Sequence, residues 1–104
     1  MIEGGCSSSE PFALRVLGDS MAPEFAHGAI VVIDPSAVVR DGSFVIADQG
    51  GEVIFRQLRI VDGHYWLEAL SEGYPRLEIE GLSAIRGVVV QRGGRRRSEH
   101  KHYV

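Results

Sequence analysis

Short β-branched runs, each stopped by glycine, proline or an Asx-Gly pair, set the tightest limit on what this chain can fold into. Ala29-Ile30-Val31-Val32-Ile33-Asp34 is ended by Pro35, and Asp41-Gly42 precedes Ser43-Phe44-Val45-Ile46-Ala47. Gln49-Gly50-Gly51-Glu52 then separates that strand from Val53-Ile54-Phe55-Arg56-Gln57-Leu58-Arg59-Ile60. Asp62-Gly63 returns the chain into His64-Tyr65-Trp66-Leu67-Glu68-Ala69-Leu70. Such pairs supply the positive φ angles that two-residue hairpin loops need, and β-branched side chains suit a pleated surface. Phe12 to Leu17, Leu77 to Ile79 and Ile85 to Val90 complete about seven short strands, and no segment keeps a 3.6-residue period. The pattern predicts a mainly β, mostly antiparallel domain, a sandwich or half-open barrel with at most one short helical turn.

The 104 residues suffice for one domain, expected over residues 12–92, with a flexible arm at 1–11 and a basic disordered tail at 93–104. The formal net charge of −3 gives no overall pull toward nucleic acid. Cys6 is the single cysteine, so an internal disulfide and a thiolate zinc site are both excluded, and a free thiol in a reducing cytoplasm is expected. Apolar runs reach five residues, far short of a membrane span, and residues 1–9 lack the basic start and apolar block of a secretory signal. No cofactor or metal is expected.

Between the first strand and the β-rich block lies Gly18-Asp19-Ser20-Met21-Ala22-Pro23. A serine on a tight turn at a strand end can present its hydroxyl beside converging backbone N–H groups, the geometry of a nucleophile at an oxyanion hole. From these residues alone a helix-capping serine after a glycine turn is the favoured reading.

The ordered set is more specific than any of its pieces. Gly18-Asp19-Ser20-Met21, Pro23, Gly28, a β-branched strand with Asp34-Pro35, Asp41-Gly42, Val45, Glu52-Val53-Ile54-Phe55-Arg56-Gln57-Leu58 and Gly87-Val88-Val89-Val90 together resemble the LexA/UmuD peptidase family. The likeness covers about residues 12–92, and signal peptidases share its Gly-Asp-Ser-Met stretch. It implies a twisted, mostly antiparallel β domain, a serine–lysine dyad, dimers, and self-cleavage stimulated by a RecA–DNA filament. By that resemblance Ser20 takes the nucleophile position, Met21 the region of the oxyanion hole, and Arg56 the position of the dyad lysine. A desolvated lysine can lose its proton and act as the base, whereas a guanidinium stays protonated. Lys101, in the tail, is the only lysine. Arg56 is therefore expected to point at Ser20, remain charged and need a partner, with Asp19 or the open cleft as candidates.

Two more departures stand out. The family's Gly-Asp before the second strand is Gly28-Ala29 here, and among the nineteen residues before Ser20 only Gly5-Cys6 resembles a scissile pair, in reversed order. The leading expectation is a stand-alone, dimerising regulatory or interaction module with hydrolysis absent or impaired. The alternatives are an active serine peptidase, self-cleaving or processing, a signal-peptidase-like enzyme, and a transcription-regulator fragment whose DNA-binding half lies on another chain. His27 and His64 read as surface residues rather than replacement bases, and His100 and His102 fall in the tail. Tyr65 and Trp66 should face opposite sides of their strand. Arg92, Arg95, Arg96, Arg97 and Lys101 against Glu99 read as a solvated end, with phosphate contact the alternative. A homodimer is expected through the last strand, Ile85 to Gln91, on the premise that no following chain covers its edge.

Overall fold

A computed structural model describes residues 10–93 and 101–103. Strands β1 (Phe12–Arg15), β2 (Ile30–Asp34), β3 (Phe44–Gln49), β4 (Glu52–Val61), β5 (His64–Glu68), β6 (Leu77–Ile79), β7 (Ile85–Gly93) and β8 (Lys101–His102) form one antiparallel sheet. Its order is β1-β2-β7-β3-β4-β5-β6, with β8 added to β7. The fold is mainly β, as the run-and-turn pattern predicts. Gly50 and Gly51 have φ of 62° and 90°, and Asp62 and Gly63 have 51° and 81°. Each pair forms a two-residue loop between directly paired strand ends, Gln49↔Glu52 and Val61↔His64. Left-handed residues at both loop positions match the right-handed twist of the flanking strands.

The central strands are packed on both faces, which is why they read as continuous apolar runs rather than alternating ones. On one face Val16, Met21, Phe25, Val31, Ile33, Ile46 and Val89 form a buried cluster. On the other are Val45, Ala47, Leu58, Leu67, Ile79 and Val88. Neighbours such as Val45 and Ile46, or Val88 and Val89, thus serve different clusters, as the pleat requires. Bulges at Val32/Ile33 and Ile46/Ala47 mark where the sheet bends. Tyr65 packs against the second cluster, while Trp66 lies under the Arg76 guanidinium, 3.9 Å from the ring centroid.

Two expectations are corrected here. Ile85–Gln91 is no open edge: β7 pairs with β2 on one side, with β3 over Ile85 to Val88 on the other, and with β8 at Gln91 and Arg92. Nor is the end of the tail disordered. Lys101 and His102 pair with β7, and the Tyr103 ring sits 5.2 Å from Phe25 and 5.3 Å from Phe44. Glu24 fastens this segment, accepting from Arg92, from Tyr103 and from Lys101 Nζ at 2.9 Å. The arm through Ser9, with Cys6 and Gly5, and the tail residues Arg95, Arg96, Arg97, Glu99 and His100 lie outside the described residues. Among the described residues, no helix is long and apolar enough to cross a membrane.

Candidate active site

Ser20 stands on a turn that the first apolar cluster holds from below. Gly18 takes a φ of 89°, which costs glycine little, and its N–H donates to His27 Nδ1 at 2.8 Å. One helical turn follows, closed by the Phe25 N–H on the Met21 carbonyl at 2.8 Å. Met21 and Phe25 are four residues apart, hence on one side of that turn, and both are fully buried. Phe25 packs edge-on against Phe44 and Phe55, each with centroids 4.9 Å away. The turn is thereby tied to β3 and β4.

A second loop clamps the turn from above. The Ser20 carbonyl accepts from the amides of Leu70 at 2.9 Å and Ser71 at 3.0 Å. Ser71 Oγ lies 2.6 Å from the Asp19 carbonyl and 2.8 Å from that of Ala22, and its single proton serves one at a time. Tyr74 donates its hydroxyl to Asp19 Oδ1 at 2.6 Å. That bond, and the Asp19 charge after it, push the Tyr74 phenol up. Nothing in a single sequence marks Ser71 or Tyr74 as partners of a turn fifty residues earlier; they read only as a loop after β5.

Across the cleft, β4 delivers Arg56. Its Nη1 donates to Ser20 Oγ at 3.1 Å and to the Phe55 carbonyl at 2.8 Å. Nε is buried without an acceptor. Burial lowers the guanidinium below its ordinary value, and Tyr74 partly offsets this. Arginine nevertheless keeps its proton at any pH a fold tolerates. The Ser20 oxygen thus meets a permanent donor where deprotonation would require an acceptor. Asp19 does not neutralise Arg56; its carboxylate is taken by Tyr74, and the Arg56 Cζ lies 5.6 Å from that ring's centroid.

The other sequence candidates lie elsewhere. His27 is occupied as acceptor for Gly18, His64 pairs with Glu78 at 2.8 Å, and His102 is exposed on β8. Lys101 is held at Glu24. Among the described residues the Ser20 and Met21 N–H groups have no backbone acceptor. The cleft has a volume of about 390 Å³ and runs from Leu14 to Ser20 on one side to Val53 to Arg56 on the other.

Comparison with known proteins gives the family. Residues 3–90 match the Peptidase S24-like family. The chain belongs to that family. Relatives include an HTH-type transcriptional regulator for conjugative element SXT from Vibrio cholerae, 41% identical over 88 residues, covering 77% of this chain and 40% of the relative. Repressor protein C2 of Salmonella phage P22 is 39% identical over 89 residues, covering 80% of this chain and 41% of the relative. The prophage repressor CohE of Escherichia coli (strain K12) is 37% identical over 95 residues, covering 86% and 42%. This S24-like chain therefore spans about two fifths of the length of the curated relatives it matches.

Proposed function

We propose that this S24-like domain is a cytoplasmic regulatory module that binds a peptide segment at Ser20 and hydrolyses it poorly or not at all. The observation that carries this reading is the 3.1 Å bond from Arg56 Nη1 to Ser20 Oγ. Ser20 holds the nucleophile position and Arg56 the position where a serine–lysine dyad keeps its base. A protonated guanidinium donates to the hydroxyl oxygen and has no lone pair to take its proton. What remains is a binding cleft. Among the described residues β1 and the first half of β4 each keep one edge unpaired, and both line the cleft. An extended chain can add to such edges through main-chain hydrogen bonds.

The names of the relatives support a role in transcription regulation, with DNA contact made by a part outside the described residues or on another chain. A homodimer belongs to the same proposal, but through side-chain faces, since the strand Ile85–Gln91 is interior. An active peptidase is the second reading, favoured by the unbonded Ser20 and Met21 amides, which could stabilise an oxyanion. The test is peptide hydrolysis followed by mass spectrometry, alongside labelling of Ser20 by a fluorophosphonate. No Ser20-dependent turnover is expected. Robust cleavage that disappears in Ser20→Ala would reverse the reading.

A further inference from the structure

We propose that the Arg56 centre is an anion site that receives the C-terminal carboxylate of a peptide lying in the cleft. This rests on the reading above, that the cleft binds rather than cuts.

Arg56 has unspent hydrogen-bonding capacity. A guanidinium carries five N–H donors. Only Nη1 of Arg56 is engaged among the described residues, on Ser20 Oγ and on the Phe55 carbonyl, while Nε is buried without an acceptor. Among the described residues Arg59, Arg76, Arg86 and Arg92 each pair with an aspartate or glutamate, whereas Arg15, Arg40 and Arg56 do not, and of these three Arg56 is the least exposed. Arg56 lies in a cleft, and no ion pair among the described residues includes it. A partly buried cation left without a counter-charge is unfavourable, and an anionic ligand relieves that cost.

Geometry narrows the anion. The carboxylate carbon of a peptide end and the carbonyl carbon of a scissile bond occupy the same place relative to a serine Oγ. Where a dyad would have a neutral base, this site presents a planar cation, which suits a group that is already negative. The remaining walls favour a polypeptide over a small ion. Leu17, Val53 and Tyr74 line the cleft with exposures of 76%, 50% and 41%, apolar surface that a free anion would not use. The unpaired edges of β1 and β4 offer main-chain partners to an extended chain but nothing to phosphate.

The experiment titrates the full chain with an N-acetylated tetrapeptide of alanine and valine, supplied as free acid and as C-terminal amide, by calorimetry at low salt. The acid is expected to bind about tenfold tighter, the margin of a charge-assisted pair over a neutral one. Arg56→Gln should abolish the difference between acid and amide, and melting curves of the variant report its folding. The acid–amide comparison on the wild type needs no variant. Equal affinities would overturn the carboxylate site and leave the binding cleft standing. Inorganic phosphate binding as tightly as the acid peptide would overturn the assignment to a peptide end. No binding of either peptide would remove both the site and the cleft reading. Ser20-dependent hydrolysis of a longer peptide would refute the proposed function and this inference with it, whereas the acid–amide comparison tests the inference by itself.

Discussion

Replacing Arg56 by lysine puts the proposed loss of chemistry to a quantitative test. Lysine is one bond shorter than arginine, so its Nζ falls near the place of the guanidinium carbon, about 1.3 Å short of Nη1. Starting from 3.1 Å between Nη1 and Ser20 Oγ, an unadjusted lysine would stop short of hydrogen-bonding distance. The burial that lowers the Arg56 value would also lower a lysine there below its ordinary range and release a neutral amine at reachable pH. A positioned general base contributes about 10²–10⁴-fold, and a misplacement of about 1 Å can cost about 10²-fold. The Arg56→Lys chain should therefore cleave a peptide supplied in trans up to about 10²-fold faster than the wild type. Because the active form is the unprotonated amine, the rate should climb about tenfold per pH unit below the lysine's pKa and level above it. Single-turnover hydrolysis between about pH 7 and pH 10, read by mass spectrometry, measures this. A rate equal to that of Arg56→Gln at every pH, with the fold intact, would refute the assignment of position 56 as the base site.

Three other outcomes follow from the packing. A Cβ on Gly87 would overlap Ile33 Cγ2, a methyl on a fully buried side chain. Gly87→Ala should therefore cost about 1–3 kcal/mol of overpacking, lowering the melting temperature by roughly 4–8 °C per kcal/mol. Glu24 is held below its ordinary value of 4.5, first by the Tyr103 hydroxyl and then by Lys101, so its contribution is present above that value and lost as pH falls through the folded pKa. Glu24→Gln should cost about 0.5–1 kcal/mol at neutral pH, limited by solvent screening, and the gap to wild type in thermal melts should close in acid. Ser71→Ala removes the hydroxyl that bridges the Ser20 turn and should cost about 0.5–1.5 kcal/mol in denaturant unfolding while loosening amide protection at Ala22, whose N–H is bonded to the Asp19 carbonyl. An unchanged exchange rate there would show that the Leu70 and Ser71 amides hold the turn alone.

The sequence by itself determined the hairpins and most of the strands. Gly50-Gly51 and Asp62-Gly63 encode their loops because positive φ is a property of those residues, whatever surrounds them. The runs at Ile30, Phe44, Val53 and Ile85 are strands for a similarly local reason. Ser20 and Arg56 were legible as a pair only through the order of the surrounding motifs. Tertiary structure decided the rest. Gly87-Val88-Val89-Val90 near the chain's end looks like an outer strand, yet it lies between β2 and β3 because both of its faces must be covered. Lys101-His102 has no strand pattern; it pairs because β7 offers an open stretch and Tyr103 finds Phe25 and Phe44. Ser71 and Tyr74 reach the turn at Asp19 and Ser20 only after the sheet brings residues fifty apart together. Backbone preference is written in neighbouring residues, whereas strand order and long-range partners depend on which distant surfaces bury each other.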